Sequence, residues 1–270
     1  KKFFNFMINK RIIFSLLYAD GFFHLSRNFR LQKVGNVEWI KNNYGFGETC
    51  NFIDELIITF VKRNPTFEDY IQYFDDINKL RKKIFVPIIL GGRIMSFKNV
   101  KNCFLNGSDK VLINTLFYND PGKITEFSNY YGKQAISLMV DYKIINEKDK
   151  LKFISYKNCG QDVGENIDEK FINKINNLPC GEVIFNSIDN DGNGSGINLD
   201  IVKLLANIKK PLLMMGGAGK PEHISKTLKL EKVSGVVTAN LFNFLGTGLK
   251  KAREECFVSG IKLPIFDEEI

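Results

Sequence analysis

The chain carries a matching set of strand endings in each of its two halves. In the first half, one apolar run ends in Gly91-Gly92 and the next ends in Asn114-Thr115. In the second half, the corresponding runs end in Gly216-Gly217 and in Ala239-Asn240. The offset is 125 residues for the glycines (216 − 91) and 126 for the asparagines (240 − 114), close to half of the 270 residues. The sequence therefore predicts a fold made of two similar halves.

The paired glycines suggest a ligand. A strand that ends in two glycines leaves its backbone N–H groups uncovered, so a phosphate can approach them closely. Two such strand ends at matching positions indicate a ligand that carries a phosphate at each end. The alternative is that these glycines only permit tight turns.

Short apolar runs alternate with longer helical segments along the whole chain. Most runs lack an apolar–polar alternation, which is typical of parallel strands covered on both faces. Eight strand–helix units predict an α/β fold, a single (β/α)8 TIM barrel with an internal half-barrel repeat. A doubly wound open sheet is the alternative, but it gives no reason for the two glycine pairs to match. The predicted strands are 12–17, 55–60, 86–90, 110–113, 135–141, 182–187, 211–215 and 235–239, and the predicted helices include 66–82, 167–177, 199–207 and 242–256.

The domain boundaries follow from the same patterning. Residues 10–260 are predicted to form the barrel, residues 1–9 a short N-terminal extension and residues 261–270 a C-terminal tail. The first residues lack the long apolar stretch and cleavage site of a signal peptide. No run of about 18 apolar residues occurs, so no membrane span is expected.

Composition narrows the function classes. The five cysteines are scattered, odd in number and without metal-ligand spacing, which favours a reduced, cytoplasmic compartment. Two histidines cannot form a histidine-rich metal site, and no metal or other cofactor is predicted. The net charge of +8 is spread rather than clustered and no nucleic-acid-binding motif is present. It reflects a compositional bias, or it attracts a phosphorylated ligand.

Seven motifs in register resemble those of one enzyme family, the cyclase subunit of imidazole glycerol phosphate synthase. They are KRII at 10–13, IDEL at 53–56, GSDKV at 107–111 leading to INT at 113–115, GKQA at 132–135, GEV at 181–183, SIDNDG at 187–192 and GGAGK at 216–220. The resemblance extends from residue 10 to about residue 244. It implies a (β/α)8 barrel that forms a heterodimer with a separate glutaminase subunit.

The resemblance also implies a reaction. The glutaminase makes ammonia, which crosses the barrel axis to the opposite face and is built into a bis-phosphorylated small-molecule substrate. The products are imidazole glycerol phosphate and an aminoimidazole carboxamide ribotide. This chain shows no cysteine in a nucleophile-elbow setting with a histidine and a carboxylate, so a glutaminase partner is expected for a second reason.

The resemblance places two phosphate sites on this sequence. One would use Gly92, Asn114 and Thr115, and the other Asp191, Gly192, Gly217, Ala239 and Asn240. Arg93 stands where the family prefers a third glycine. An arginine there can pair with a phosphate or crowd the loop.

A charged ring is implied at the other end of the barrel. In the family, four alternating charges close the ammonia entrance, and here they fall on Arg11, Glu55, Lys110 and Glu182. The alternative is a plug that only fills the barrel end. Asp109, beside the ring, matches a residue expected at the glutaminase interface.

The implied catalytic face is incomplete. The family uses two aspartates as general acid and base; Asp141 matches the second, but the first falls on Leu17, which cannot carry a proton. Asp20 is the nearest substitute, although a loop aspartate is more often solvated. The family's loop lysine falls on Leu25 and a strand-end aspartate falls on Phe60, which predicts a more apolar mouth.

Three functions remain open. The favoured one is a divergent paralogue that channels ammonia to a different acceptor. Ser15-Leu16-Leu17 and the segment 33–36 resemble a branch associated with amidation of surface-polysaccharide sugars, in which a third, amidotransferase protein uses the ammonia. The second is the histidine-pathway cyclase itself, with Asp141 as its main proton carrier. The third is a non-catalytic scaffold that binds a phosphorylated metabolite.

Overall fold

The chain forms a closed barrel of eight parallel strands surrounded by helices. A computed structural model describes residues 10–44, 46, 50–147, 150–239 and 247–265. The strands are β1 (Arg11–Ala19), β2 (Phe22–Arg27), β3 (Arg30–Gly35), β4 (Glu55–Phe60), β5 (Ile88–Gly91), β6 (Lys110–Ile113), β7 (Ile136–Glu147), β8 (Lys150–Lys157), β9 (Asp162–Asn166), β10 (Glu182–Ser187), β11 (Leu212–Met215) and β12 (Val233–Thr238). The barrel order is β1-β4-β5-β6-β7-β10-β11-β12, and β12 pairs with β1. Because β7 also pairs with β10, the sheet closes and the predicted TIM barrel is confirmed over an open sheet.

The helices lie outside the strands, as the alternating pattern predicts. They are α1 (Val37–Asn43), α2 (Phe67–Arg81), α3 (Phe97–Leu105), α4 (Thr115–Asn119), α5 (Pro121–Tyr131), α6 (Glu169–Asn177), α7 (Asp200–Leu204), α8 (Pro221–Leu228) and α9 (Gly248–Val258), with single 3-10 turns at Cys50–Phe52, Lys133–Ala135 and Leu205–Asn207. Local caps set several starts: Thr66 and Asp69 form a capping box at α2, and Asp168 caps α6. The predicted helix at 242–256 begins outside the described residues, and its described part is α9. None of the described helices is long and apolar enough to cross a membrane.

Two antiparallel hairpins extend the predicted strand set. Hairpin β2–β3 follows the first barrel strand and hairpin β8–β9 follows the fifth, so each half of the barrel begins with a strand and a hairpin. The eight barrel strands were predicted to within two residues except at the end of β7, which continues to Glu147 as part of its hairpin. The hairpins strengthen the half-barrel repeat that the matching glycines and asparagines indicate.

The barrel interior is an apolar layer between two polar ends. Its members are Ile13, Ile57, Ile89, Leu112, Met139, Ile184, Leu213, Met215 and Val237, none more than 9% exposed. A larger apolar cluster fills the space between the strands and the helices. Residues 261–265 of the predicted tail lie against the barrel: Ile261 and Leu263 are buried, and the Lys10 amide donates to the Lys262 carbonyl.

Candidate functional site at the base and mouth of the barrel

The base of the barrel, where the strands begin, holds a closed ring of four charges. Arg11 Nη1 lies 2.6 Å from Glu55 Oε1, and Arg11 Nη2 lies 2.9 Å from Glu182 Oε2. Lys110 Nζ lies 3.0 Å from both Glu55 Oε1 and Glu182 Oε1. Each cation therefore bridges both carboxylates. The sequence predicts these four positions, and the structure brings all four side chains together across the barrel axis.

The ring is largely shielded from water. Burial opposes the charge of Glu182, but Arg11 and Lys110 outweigh it and lower the pKa of this carboxyl. Ser137 also donates a hydrogen bond to Glu182 Oε1 at 2.5 Å. Among the described residues, Arg11 Nε and Glu55 Oε2 are buried without a hydrogen-bond partner. The ring is therefore held together by its charges while retaining unsatisfied polar atoms.

Asp109 lies beside this ring at the exposed start of β6. Its carboxylate accepts a hydrogen bond from the Ile88 amide at 2.8 Å, and its own amide donates to the Ile88 carbonyl. These contacts fix the start of β6 against β5. The Asp109 side chain remains exposed at the base, where a partner could contact it.

The mouth of the barrel, where the strands end, holds Asp141 in a buried position. Asn114 Nδ2 donates to Asp141 Oδ2 at 3.0 Å, and Asn186 Nδ2 donates to Asp141 Oδ1 at 2.9 Å. Burial raises the pKa of Asp141 to about 7; the nearby charge of Asp191 adds to the rise, and the two amide hydrogen bonds oppose it. A carboxyl group poised near neutral pH is suited to proton transfer in either direction.

Strand β1 itself contributes no carboxylate to the mouth. Leu17 lies there with Ser15, whose buried hydroxyl has no hydrogen-bond partner among the described residues. Asp20 lies at the turn that follows, and its exposed carboxylate pairs with Lys62 Nζ at 2.8 Å. Asp20 is thus engaged at the surface, as the solvated alternative predicts.

His24 lies directly opposite Leu17 in the β1–β2 ladder. Its Nδ1 lies 3.0 Å from the Phe22 carbonyl oxygen, which can only accept, so Nδ1 carries the proton and Nε2 is left with a lone pair. Burial lowers the pKa of His24, although the Phe22 carbonyl and Asp20 oppose the change. The imidazole is therefore mainly neutral at pH 7.

The second predicted phosphate site is a narrow cavity of about 30 Å³ at the ends of β1, β11 and β12. It brings together Asp191, Gly192, Gly217 and Ala239, as predicted, and adds His24 and Ser26. Asn240, the remaining predicted member, lies outside the described residues. Gly217 has φ +101°, and a Cβ there would lie 2.1 Å from the Gly196 carbonyl oxygen, so only glycine fits.

The carboxylate of Asp191 is engaged within the protein rather than directed at a ligand. Ser26 Oγ donates to Asp191 Oδ2 at 2.5 Å, and the Phe29 amide donates to the same oxygen at 3.1 Å. Burial raises the pKa of Asp191, while these two hydrogen bonds oppose the rise. Asp191 thereby fixes hairpin β2–β3 against the loop after β10.

The two polar side chains of the first predicted phosphate site already hydrogen-bond within the protein. Gly92 has φ +98°, and a Cβ there would lie 1.9 Å from the Phe60 carbonyl oxygen. Thr115 Oγ1 accepts from the Asn158 amide at 3.1 Å, which brings the tip of hairpin β8–β9 over this site. The side-chain amide of Asn114, predicted here, is directed at Asp141 and at the Met139 carbonyl instead.

Two residues of uncertain role at the mouth are placed by the structure. The Arg93 guanidinium donates to the Lys62 carbonyl at 2.9 Å and to Asn158 Oδ1 at 3.2 Å, so it links two loops beside the first phosphate site. The expectation that Phe60 makes the mouth apolar is wrong. The Phe60 side chain, at the end of β4, is buried on the helix-facing side of that strand and stacks on Tyr73 with ring centroids 4.9 Å apart.

Sequence reasoning missed Asn186, His24, Ser26 and Asn158. Asn186 had a usable signal, since it is a polar residue inside the apolar run of β10 and lies two positions after Ile184 of the interior layer. The other three belong to hairpins whose strands are half exposed. The partners of Ser26 and Asn158 lie far away along the chain, at Asp191 and Thr115, and no local pattern reveals them.

Comparisons with known proteins agree with this geometry. The sequence profile of the family described as histidine biosynthesis protein matches residues 56–247. A protein of Parasynechococcus marenigrum strain WH8102 with the provisional name imidazole glycerol phosphate synthase subunit hisF2 is 40% identical over 250 residues, 92% of this chain and 91% of that protein. The imidazole glycerol phosphate synthase subunit HisF of Chlorobaculum parvum is 27% identical over 94% of this chain and 98% of its own length. The HisF subunit of Pelodictyon phaeoclathratiforme is 28% identical over 96% of this chain and 100% of its own length. The chain therefore belongs to the histidine biosynthesis protein family, within the group of HisF subunits of imidazole glycerol phosphate synthase.

Proposed function

We propose that this chain is the barrel subunit of a glutamine amidotransferase complex of the imidazole glycerol phosphate synthase type. It takes ammonia from a separate glutaminase subunit through the barrel axis to a phosphorylated-substrate site at the mouth. The observation that carries the proposal is that one barrel has a closed ionic ring at its base and, at its mouth, the buried carboxyl of Asp141 with a pKa of about 7. Both belong to the same barrel interior.

The apolar layer between the two ends selects what travels along the axis. Moving a charged ammonium ion past Ile13, Ile57 and Ile184 would leave its charge without solvation, whereas neutral ammonia crosses at far lower cost. For ammonia to pass the base, either Arg11 or Lys110 must move away from the two carboxylates that it bridges. A glutaminase docked over the ring and the exposed Asp109 would release its ammonia directly at the base of the barrel axis.

At the mouth, Asp141 acts as a general acid–base group, held in place by the amides of Asn114 and Asn186. The backbone around Gly92 and Thr115 receives one phosphate. That around Gly192, Gly217 and Ala239, with Asn240, receives the other. Proton transfer by a positioned side chain typically contributes about 10²–10⁴ in rate. With Leu17 in place of a second aspartate, the barrel has only part of that contribution.

Leu17 favours a divergent paralogue that supplies ammonia for amidation of a surface-polysaccharide sugar, through a third, amidotransferase protein. The chain is 40% identical to the relative named hisF2 but 27% and 28% identical to the two relatives named HisF, which supports a paralogue without bearing on its acceptor. The neutral imidazole of His24, opposite Leu17, favours the other candidate, a histidine-pathway cyclase in which a histidine replaces the first aspartate.

One measurement separates these functions. Single-turnover cyclisation of the histidine-pathway bisphosphate is followed with ammonium salt supplied directly, in wild type, Asp141→Asn and the matched surface control Asp75→Asn. Turnover that only Asp141→Asn abolishes identifies a working cyclase and excludes a non-catalytic scaffold. Substrate binding without turnover counts against the cyclase and leaves the paralogue and the scaffold, which the glutaminase experiment below separates.

The partner is tested separately by mixing the chain with its glutaminase subunit. We expect a heterodimer by size-exclusion chromatography and a higher rate of glutamine hydrolysis. A chain that neither binds a glutaminase nor raises its activity contradicts the whole proposal.

A further inference from the structure

The narrow cavity at the ends of β1, β11 and β12 has one source of positive charge among its described lining residues. No lysine or arginine is among them, and Asp191 is the one acid. Backbone N–H groups attract a phosphate there, but the Asp191 carboxylate repels it. His24 is the one described lining residue that can become a cation. A phosphate in this cavity therefore depends on His24 for a side-chain counter-charge.

Two independent contacts place the His24 side chain on the cavity side of its strand. His24 stands directly opposite Leu17 in the β1–β2 ladder, and such cross-strand partners share a face of the sheet. His24 also lies two residues before Ser26 on β2, so these two side chains share a face as well. Ser26 Oγ donates to Asp191 Oδ2 at 2.5 Å, and Asp191 lines the cavity.

The orientation of the imidazole leaves one ring nitrogen for a ligand. Nδ1 lies 3.0 Å from the Phe22 carbonyl oxygen, which can only accept, so Nδ1 carries the proton and Nε2 has a lone pair. On β1, Ser15 lines the same cavity, is 2% exposed, and its hydroxyl has no partner in the described part of the chain. A buried hydroxyl without a partner costs free energy, which a hydrogen bond to a ligand oxygen would recover.

Contact between Nε2 and a phosphate requires a proton. A lone pair on Nε2 faces only lone pairs on a phosphate dianion, so one proton must lie between the nitrogen and the oxygen. Above about pH 7 the free imidazole is neutral and the free phosphate is mainly a dianion, so this proton comes from the solvent. The resulting hydrogen bond is charge-assisted and therefore stronger than a neutral one.

The groups that face His24 set the state from which it starts. Burial lowers the pKa of His24; the Phe22 carbonyl and Asp20, in the β1–β2 turn, oppose this, and Lys33, opposite His24 on β3, adds to it. Asp191 lies on the loop after β10, and the described cavity residues of β1, β11 and β12 carry no titratable side chain. The imidazole is thus mainly neutral without a ligand, and an anion at Nε2 shifts it toward the charged form.

We propose that His24 binds the phosphate in this cavity and takes up a proton as the phosphate enters, with the Ser15 hydroxyl as a second donor. The inference rests on the proposed function for the phosphate itself and deepens it by naming the counter-charge. A proton held on a phosphate oxygen is not available to the reacting atoms. This role therefore favours the paralogue over a cyclase in which His24 replaces the first aspartate.

Nuclear magnetic resonance can test the proposal directly, because the chain has two histidines and each imidazole can be followed as the pH is changed. The probes are inorganic phosphate and sulfate at constant ionic strength; sulfate stays a dianion from pH 6 to pH 8 and brings no proton. We expect both anions to move the titration midpoint of His24 up by at least one pH unit. His223 does not line the cavity, and its Nδ1 accepts from the Gly219 amide at 3.3 Å, so its midpoint should stay in place.

Calorimetry measures the same coupling from the side of the ligand, since the coupling is reciprocal. Wild type should bind sulfate at least fivefold more tightly at pH 6 than at pH 8. H24Q, which cannot become charged, should lose this pH dependence and bind more weakly at pH 6. H24K, which is charged at both pH values, should bind at pH 8 at least as tightly as wild type. Circular dichroism confirms that each variant folds.

The outcomes that refute the role of His24 differ from those that refute the proposed function. Anions that bind wild type without moving the His24 midpoint refute the role without the use of any variant. A pH dependence that survives in H24Q assigns the proton to Asp191 and refutes it as well. If neither anion binds wild type, the phosphate site of the proposed function fails, and the role of His24 fails with it.

Discussion

At the scale of single residues, Asp141 is the clearest case of a group whose surroundings set its chemistry. Its two oxygens accept from Asn114 and Asn186, yet burial prevails and the pKa rises to about 7. The carboxyl is therefore protonated in the folded protein over a pH range in which the unfolded chain has lost the proton. Folding stability must then depend on pH through this one group.

The sign follows from the proton count. Between about pH 4 and 7 the native state holds a proton that the unfolded state does not, so the free energy of unfolding falls as pH rises through this window. We expect Asp141→Asn to remove this dependence and to be more stable than wild type at pH 8, by up to about 4 kcal/mol. Asn186 can accommodate the variant, because its Oδ1 is buried without a partner among the described residues and can accept after an amide flip.

The measurement is urea unfolding of wild type and Asp141→Asn at pH 5 and pH 8. Asp75→Asn, a change at an exposed aspartate, serves as the control. Parallel pH dependence in wild type and Asp141→Asn would show that Asp141 ionises normally in the folded protein.

Single residues also show where sequence reasoning succeeded. The family resemblance implied that Arg11, Glu55, Lys110 and Glu182 form one ring, and their side chains do meet; a charge at the start of a buried strand needs such a partner. Gly92 and Gly217 were predictable from the repeat. The role of Asn114 was not, because its side chain turns to a carboxylate 27 residues away rather than to the solvent-facing cradle.

At the scale of elements, hairpin β2–β3 is the part of the mouth that the sequence did not predict. Its strands carry mostly exposed or half-buried residues and lack an apolar alternation, which is typical of a loop. What fixes the hairpin is tertiary: Asp191 accepts from Ser26 and Phe29, and Asn28 donates to the loop after β10. The same hairpin brings His24 opposite Leu17.

Removing the Asp191 carboxylate should therefore release the hairpin. In Asp191→Ala, Ser26 Oγ and the Phe29 amide lose their acceptor, and we expect the free energy of unfolding to fall by about 2 kcal/mol. Amide hydrogen exchange should become faster in β2 and β3 while the barrel strands stay protected. The exposed control Glu126→Ala should change neither quantity. Unchanged protection in the hairpin would show that Asn28 alone holds it in place.

At the scale of the whole molecule, the two ends of the barrel are chemically different and the layer between them is apolar. The ring at the base uses four charges with a net charge of zero, and the mouth uses a single near-neutral carboxyl with glycine-lined surfaces around it. Such an arrangement gives the proposed function a direction, in which nitrogen enters uncharged at the base and meets the phosphorylated ligand at the mouth. The direction can be measured, because ammonium added to the solution reaches the mouth without passing the ring.

We therefore expect Lys110→Gln to separate the two nitrogen sources. Without Lys110, Arg11 alone faces Glu55 and Glu182, and breaking a buried ionic contact of this kind costs about 3–5 kcal/mol, so the ring loses its closed geometry. In the complex with glutaminase, the ratio of aminated product formed from glutamine to that formed from ammonium chloride should fall at least tenfold. Product formed from ammonium chloride should stay within twofold of wild type, since Asp141 and the phosphate sites are unchanged.

The control is Lys209→Gln, at an exposed lysine in the loop before β11. It should leave the ratio of the two products unchanged if the ring itself controls the entry of ammonia. An equal loss from both nitrogen sources in Lys110→Gln would instead mean that the ring supports the fold of the mouth and that the barrel axis is not the route of ammonia.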